Sequence, residues 1–164
     1  MTVAQLKKSS QPVREQVSAA EWETRVNLAA CYRLMHEYGL TEMIANHISA
    51  RVPGTHDQFL INAYGMLYEE MTASSMIKID IDGNVIFNAT DFDINQAGYV
   101  IHSAVHAARH DVDCVIHTHT LAGMAVSAMK TGLLPIAKTS MRFNEGNSSM
   151  RQSNLCFFSA DAGL

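Results

Sequence analysis

The stretch Val112-Asp113-Cys114-Val115-Ile116-His117-Thr118-His119-Thr120 decides most of what this sequence predicts. An apolar run that ends in alternating histidines is typical of a β-strand, in which residues i and i+2 point to the same side. His117 and His119 should therefore present both imidazoles on one side of a strand end. Two neutral imidazoles held in this way supply half of a first-row metal site. The alternative is a pair of surface or hydrogen-bonding histidines, because zinc sites need three or four ligands.

Helices should flank this strand on both sides. Asn95 can cap a helix over residues 96–109 by accepting from free backbone N–H groups, and Thr120 can cap a helix over residues 121–130. Residues 133–136 resemble the start of a further strand. Apolar residues of the first helix recur at helical spacing and predict its buried face: Val100, Ile101, Ala104, Val105 and Ala108.

The sequence before residue 95 predicts one long helix and several short strands. Ser18 and Glu21 have the form of a capping box, and the helix that they begin should stop at Gly39. Strands are expected over residues 47–52 and 59–62 and in a hairpin over residues 77–87. Alternation in the first of these strands places three apolar residues on one face: Ile48, Ala50 and Val52. An early hairpin of this kind favours an α/β fold whose central, mostly antiparallel sheet is covered by helices.

Composition and charge are those of a single globular domain. The chain has 164 residues, of which 48% are hydrophobic, enough for a core and outside the disordered class. A net charge of −4 with scattered basic residues suggests neither a nucleic-acid partner nor an anionic membrane, and no apolar stretch is long enough to span a bilayer. The first 16 residues lack the apolar centre of a signal peptide, and three widely spaced cysteines suit a reducing compartment. We therefore expect a cytoplasmic protein.

The chain divides into three parts by composition. Residues 1–17 are polar and predict a flexible N-terminal arm, and residues 18–140 hold the predicted helices and strands. Residues 141–164 form a divergent tail, which is polar at first, ends near a short apolar patch and contains no histidine.

Several separate segments resemble the class II aldolase/adducin family, and within it the adducin-head-like, aldolase-related branch. The resemblance covers about residues 20–140 in the family's order and spacing. It is carried by these segments: Asn46-His47-Ile48-Ser49-Ala50-Arg51, Ile61-Asn62-Ala63-Tyr64-Gly65, Lys78-Ile79-Asp80-Ile81-Asp82-Gly83, Ile101-His102-Ser103-Ala104 and Val115-Ile116-His117-Thr118-His119-Thr120.

The resemblance implies a three-layer fold, in which a central, mostly antiparallel sheet lies between layers of helices. Family enzymes are usually homotetramers with sites near subunit interfaces, and many act on sugar phosphates. A divalent metal, usually zinc, stabilises negative charge that develops on substrate oxygen when a carbon–carbon or carbon–hydrogen bond breaks. By this resemblance, His117 and His119 correspond to two of the family's three histidine ligands.

The sequence departs from the family at positions that carry its chemistry. Where family aldolases have an acid/base glutamate, this chain has Gly98, which cannot move a proton. The family's phosphate-binding Gly-Asn pair is matched by Asn46-His47, and the two serines that often bind phosphate are matched by Gln96-Ala97. Asn46, His47 and the amides near Gly65 can still donate hydrogen bonds to an anion, so we predict these three as substrate-binding residues.

The family's third histidine ligand comes from a part of the fold that follows the position of Ser140, where this chain shows no family pattern. A truncated, alternatively ended or frame-shifted tail is one hypothesis for this difference. His102 and His106, four residues apart on one helix face, are alternative third ligands. The simpler interpretation makes His102 a buried, hydrogen-bonded residue and His106 a partly exposed one.

Three hypotheses for function follow. The first is a metal-dependent, lyase-type protein of the class II aldolase kind, with zinc as the favoured metal and a small hydroxy-carbonyl compound or sugar phosphate as substrate. The second is a non-catalytic, adducin-like domain with a cytoskeletal partner, which Gly98 favours. The third is an inactive, truncated fragment of either. We expect a homo-oligomer. Four carboxylates are candidates for a replacement proton carrier: Glu69, Glu70, Asp91 and Asp93. Such charges are more often solvated loop residues.

Overall fold

The structure of the protein, a computed structural model, describes residues 11–141 and the backbone of residues 156–157. Its helices and strands are, in chain order, α1 (Val13–Gln16), α2 (Ala19–Glu37), β1 (His47–Arg51), β2 (Gln58–Ile61), β3 (Ile77–Asp80), β4 (Val85–Phe87), α3 (Gln96–Ala108), β5 (Cys114–His117), α4 (Leu121–Ser127), α5 (Lys138–Met141) and β6 (Cys156–Phe157). A single turn of 3-10 helix, Tyr68–Glu70, lies between β2 and β3. No helix in this part of the chain is both long and apolar enough to cross a membrane.

The strands of the described residues form one sheet in the order β4-β3-β2-β1-β5-β6, and every neighbouring pair is antiparallel. This confirms the predicted α/β fold with a central antiparallel sheet. The predicted hairpin is formed by β3 and β4, and Gly83 in its turn has a positive φ of 87°, which favours glycine. Since β1 lies between β2 and β5, it occupies the interior of the sheet.

The two faces of β1 carry different kinds of side chain. Apolar residues pack with α2 in the larger hydrophobic cluster, as their alternation predicted: Ile48, Ala50 and Val52. Polar residues are buried on the opposite face, where α3 contacts the strand: His47, Ser49 and Arg51. The sheet therefore lies between helices on both faces, which is the three-layer arrangement that the resemblance implied.

At the start of α2, the predicted serine cap forms, but the predicted contact of the glutamate side chain does not. The Ser18 hydroxyl caps the helix by accepting from the Glu21 N–H at 3.1 Å. The Glu21 side chain points elsewhere, because its two oxygens accept from Arg25 Nε and Lys78 Nζ, each at 2.9 Å. The contact to Lys78 on β3, together with the one to Arg25 in the same helix, replaces the hydrogen bond that would have completed a capping box.

The buried face of α3 is not the face that the apolar pattern predicted, so that prediction is wrong. Residues of the predicted stripe are exposed: Val100, Ala104 and Ala108. The buried residues of the helix are mostly polar: Gly98, His102, Ser103 and His106. The physical reason is that the face of β1 beneath α3 is polar, so this helix turns its hydrogen-bonding side chains inward.

Both ends of the described chain differ from prediction. The expected N-terminal arm includes the short helix α1, whose Val13 is buried, while residues 1–10 lie outside the described residues. Helix α4 ends at Ser127 because none of its residues is buried and local hydrogen bonds alone hold it. Residues 133–136 form no strand, since Pro135 offers no N–H to a neighbouring strand. The predicted tail lies outside the described residues except for β6, whose backbone pairs with β5.

Candidate metal and substrate site

The candidate site lies where β1 begins and β5 ends. These strands pair with His47 directly opposite His117, so both side chains lie on the same face of the sheet. Their rings are stacked, with centroids 4.6 Å apart and planes 12° from parallel. The fold thus brings His47, which is distant in sequence, against the predicted histidine pair.

His117 and His119 face each other through their ring nitrogens. Nε2 of His117 lies 2.6 Å from Nε2 of His119, and the two rings are inclined at 82°. When both rings are neutral, one of these nitrogens donates a hydrogen bond and the other accepts it. Nδ1 of His117 is buried and has no hydrogen-bond partner among the described residues.

The protonation of these rings suits a cation. Burial lowers the pKa of His117, and the neighbouring His119 lowers it further. Burial also lowers the pKa of His47 to about 4, with smaller contributions from His117 and His119. Rings that stay neutral at pH 7 keep a lone pair available for a metal ion.

The described residues do not form a complete metal site. Among them, no group of three or more histidine, cysteine, aspartate and glutamate side chains is arranged to hold a metal ion. His117 and His119 fit a divalent cation in the kind of donor that they offer, but they are two ligands where a zinc site needs at least three from the protein.

Asn46 offers an unused hydrogen-bond donor beside the histidines. Its side chain is buried, and its Oδ1 accepts from the Glu42 N–H at 2.5 Å, which fixes which end of the amide is the NH2 group. Nδ2 is buried without a partner among the residues that the structure describes. A buried donor of this kind can bind an oxygen of a ligand, because leaving it unpaired costs stability.

His47 occupies the space that a side chain at position 98 would need. A Cβ built on Gly98 would lie 2.6 Å from Cδ2 and 2.9 Å from Nε2 of His47. Because the ring is held by stacking and hydrogen bonding, it cannot move aside at little cost. In this chain, the position of the His47 ring therefore depends on glycine at position 98.

A buried row of hydrogen bonds leads from His47 into the protein along α3. Nδ1 of His47 lies 2.7 Å from Nε2 of His102, whose Nδ1 lies 2.6 Å from Ser49 Oγ. Ser49 Oγ also lies 2.8 Å from Nε2 of His106. Because each neutral imidazole has one N–H and one lone pair, the direction of the hydrogen bond between His47 and His102 fixes the direction of that between His102 and Ser49. The Ser49 hydroxyl has one hydrogen, so it can donate to only one of the two helix histidines.

This row changes the interpretation of the two helix histidines. His102 is buried and hydrogen-bonded, as the simpler interpretation held, but His106 is fully buried and not partly exposed. His102 is not free to serve as a third metal ligand, because both of its ring nitrogens are already used. His106 uses Nε2 and leaves a buried Nδ1 without a partner among the described residues, but it does not join the histidine pair in a three-ligand group there. Burial lowers the pKa of His102 to about 2 and that of His106 to about 4, with His47 and Arg51 as the next causes respectively.

The remaining predicted residues lie in other parts of the fold. Gly65 is exposed in the loop after β2, has a positive φ of 102° and packs against the Phe92 ring. Two of the carboxylates considered as proton carriers have structural contacts instead. Glu69 pairs with His36 at 3.0 Å, and Glu70 accepts from the Leu67 N–H at 2.8 Å.

Sequence reasoning missed Glu42. Its Oε2 lies 2.5 Å from Nδ1 of His119, although 77 positions separate the two residues. Only the pairing of β1 with β5 brings them together, and no local motif around Glu42 signals this contact. Sequence reasoning also missed the role of Ser49. Its position between His102 and His106 depends on how α3 packs on β1.

The chain is similar to known proteins in sequence and in fold. The sequence model of the Class II Aldolase and Adducin N-terminal domain matches residues 26–154. The chain belongs to this family.

Two relatives show the breadth of the class II aldolase and adducin family. A protein of Pseudomonas aeruginosa that carries the name aldolase class 2 protein is 57% identical over 129 residues, which are 79% of this chain and 49% of that protein. Alpha-adducin of Rattus norvegicus is 47% identical over 122 residues, which are 74% of this chain and 17% of that protein. The chain therefore spans about half the length of the bacterial relative and a smaller share of the adducin.

Solved structures of the class II aldolase family share the fold. An aldolase II superfamily protein from Pseudomonas syringae has a TM-score of 0.78 at 56% identity, covering 81% of this chain and 53% of that one. L-fuculose 1-phosphate aldolase from Glaciozyma antarctica has a TM-score of 0.70 at 28% identity, covering 83% of this chain and 54% of that one. Proteins of this aldolase class are generally metal-dependent, which makes the histidine pair the first place to test for a cation.

Proposed function

We propose that this chain is a metal-binding protein of the class II aldolase type, with lyase-type chemistry on a small hydroxy-carbonyl compound or sugar phosphate. His117 and His119 would hold the divalent metal, for which zinc is favoured. The observation that carries this proposal is that their Nε2 atoms converge at the end of β5, 2.6 Å apart as a hydrogen-bonded pair that would open to admit an ion. When bound, the ion would supply Lewis acidity toward negative charge on a substrate oxygen.

The low pKa of His117 supports this proposal. An imidazole that is already neutral at pH 7 binds a cation without first losing a proton to solvent. Two protein ligands leave the other coordination positions to substrate, solvent or further ligands, so the affinity of the pair by itself would be modest.

We propose that Asn46, His47 and Gly65 bind the substrate. The buried, unpartnered Nδ2 of Asn46 is suited to a hydroxyl, carbonyl or phosphate oxygen. His47 presents Nε2 beside Gly98, while its other nitrogen is held by His102. At the exposed Gly65, its own N–H is the group offered to an anion, because the amides on either side already donate to the carbonyls of Asp93 and Ala63. No residue is assigned as catalytic acid or base.

The proposal is tested by metal content and then by activity. The purified protein is loaded with zinc, freed of excess metal and analysed by elemental mass spectrometry beside His117→Ala, His119→Ala and the control His56→Ala. We expect about one ion per chain in the native protein and in the control, and a marked loss in both site variants. A native protein that is folded by circular dichroism and retains no zinc would overturn the proposal.

Activity then distinguishes a lyase from a metal-binding scaffold. The zinc-loaded protein is incubated with a panel of aldehydes and a three-carbon keto-phosphate donor. We expect metal-dependent formation of a carbon–carbon bond with at least one aldehyde, which His117→Ala abolishes.

A second candidate function is a non-catalytic, adducin-like domain with a cytoskeletal partner. The observation that favours it is Gly98, because His47 fills the space in which a family glutamate would lie. Co-sedimentation with filamentous actin tests this candidate. Pelleting of the native protein without any aldol activity would favour it over the lyase.

We also propose that the protein is cytoplasmic and homo-oligomeric. The free thiols Cys31 and Cys114 are consistent with a reducing compartment. The large exposed apolar residues of α4 and the segment after it are consistent with a surface that another subunit covers: Leu121, Met124, Met129, Leu133, Leu134, Ile136 and Met141.

A further inference from the structure

The Glu42 carboxylate is built into the candidate site although it lies in a loop. It belongs to the segment between α2 and β1, and its Oε2 contacts Nδ1 of His119 at 2.5 Å. The His119 side chain is 32% exposed and that of Glu42 is 49% exposed. Such a contact at the surface needs support from the backbone to persist.

The loop around Glu42 provides this support. The Glu42 N–H donates to Asn46 Oδ1 at 2.5 Å, and the Glu42 carbonyl accepts from the Ala45 N–H at 2.9 Å. Met43 has a positive φ of 44°, which is uncommon for a residue other than glycine and indicates a backbone held by its surroundings. The loop therefore fixes the backbone from which the Glu42 side chain reaches His119.

The contact determines the tautomer of His119. An ionised carboxylate only accepts hydrogen bonds, so Nδ1 of His119 carries a proton in this contact, and in the neutral ring Nε2 then keeps its lone pair. That lone pair faces His117. His117 has no equivalent support, because its Nδ1 has no partner among the described residues. Without any cation, the ring of His119 is therefore held by a hydrogen bond at Nδ1, whereas the ring of His117 is not.

We propose that Glu42 is a positioning residue, which holds His119 in the orientation and tautomer of a metal ligand. This inference rests on the proposed metal site and deepens it. Carboxylates that accept from the second nitrogen of a ligating histidine fix the ring and raise its basicity, and their loss typically weakens metal binding by about 10–100-fold. His119 would then be the preorganised ligand, and His117 the ligand that adjusts.

The chain offers a matched control. His36 Nδ1 pairs with Glu69 Oε2 at 3.0 Å, and these side chains are 41% and 45% exposed. This pair has the same chemistry and similar exposure as His119 and Glu42, but it lies away from the histidine pair. A variant at Glu69 therefore removes one exposed carboxylate and one histidine contact without touching the site.

The test measures the affinity for Co²⁺ by its visible absorption at one fixed pH. The proteins compared are the native chain, Glu42→Ala, Glu42→Gln and Glu69→Ala. We expect Glu42→Ala to weaken binding by about 10–100-fold and Glu42→Gln to weaken it less, since its amide oxygen can still accept. Glu69→Ala should bind as the native chain does. If Glu42→Gln and Glu42→Ala are both folded and bind Co²⁺ with the same affinity as the native chain, the inference is overturned.

A metal-free measurement keeps this test separate from the proposed function. Two-dimensional nitrogen–proton NMR identifies which ring nitrogen of His119 carries the proton. We expect the Nδ1–H tautomer in the native chain and a mixture in Glu42→Gln. If the native chain binds no Co²⁺, the proposed metal site fails, and the tautomer alone decides the role of Glu42. An Nε2–H tautomer of His119 in the native chain would overturn that role.

Discussion

At the scale of single residues, glycine at position 98 affects packing as well as chemistry. It offers no group that can transfer a proton, and it leaves room for the His47 ring. The His47 ring lies against the glycine and is held from two sides, by stacking on His117 and by the hydrogen bond to His102. A glutamate at 98 and a histidine at 47 exclude each other sterically. The residue at one of these positions therefore limits which side chain fits at the other.

Gly98→Ala should destabilise the protein by about 1–3 kcal/mol, because its Cβ would overlap the fixed His47 ring. In a His47→Ala background the same change should stabilise by up to about 1 kcal/mol, since alanine is the better helix former. Urea unfolding of the four proteins gives the coupling energy. Equal effects of Gly98→Ala in both backgrounds would show that the two positions are independent.

Ser49→Ala should cost about 1–3 kcal/mol of unfolding free energy, because it leaves nitrogens of His102 and His106 buried without a partner. Ser103→Ala is the matched control. Ser103 is a buried residue of α3 itself, and its hydroxyl donates to the Val100 carbonyl of the same helix at 3.2 Å. Denaturant unfolding of both variants checks the difference, and similar losses would contradict the role given to Ser49.

At the scale of elements, the sequence predicted what depends on local chemistry. The caps Ser18, Asn95 and Thr120 accept from backbone N–H groups at the predicted helix starts. Alternation identified the apolar face of β1. The buried face of α3 was not predictable in this way, because it is decided by Ser49 and His47 on a strand that lies about 50 residues earlier. Glu42 escaped detection for the same reason.

The polar face of α3 makes stability depend on pH. His102 and His106 have folded pKa values of about 2 and about 4, below the unfolded value of about 6.5, so the unfolded chain binds protons more readily. His102 faces His47, and His106 faces Arg51. In metal-free protein, stability should be full above about pH 6.5 and fall toward pH 4, by about 1.4 kcal/mol per pH unit for each proton.

Urea unfolding between pH 7.5 and 4.5 with a chelator measures this profile. The variant His106→Gln, which cannot take up a proton, should show a shallower fall than the native chain. A native profile that is flat through this range would mean that the buried imidazoles do not have the protonation described here.

At the scale of the whole molecule, the described part of the chain has a well-packed centre and an uncovered end. Residues on both faces of β1 are buried, whereas α4 has no buried residue at all. Leu121 and Ile136 are 84% and 86% exposed. Several large apolar side chains exposed over one stretch of the chain are consistent with a contact to another protein surface.

We therefore expect the native chain to sediment as an oligomer in analytical ultracentrifugation. Leu121→Asp combined with Ile136→Asp should lower the mass toward that of a single chain without changing the far-ultraviolet circular dichroism. Leu34→Asp, at an exposed apolar position on α2, is the control and should leave the mass unchanged. A monomeric native chain at micromolar concentration would contradict this expectation.

The measurement that tests the central claim most directly is a crystal structure of the protein soaked with zinc, with anomalous scattering recorded at the zinc edge. We expect one strong peak within about 2.0–2.1 Å of Nε2 of both His117 and His119, whose nitrogens move apart from 2.6 Å to hold the ion, with Glu42 still in contact with His119. The same peak should be absent from crystals of His117→Ala. A native crystal with no peak between these two nitrogens, or with the two rings turned apart, would contradict the account.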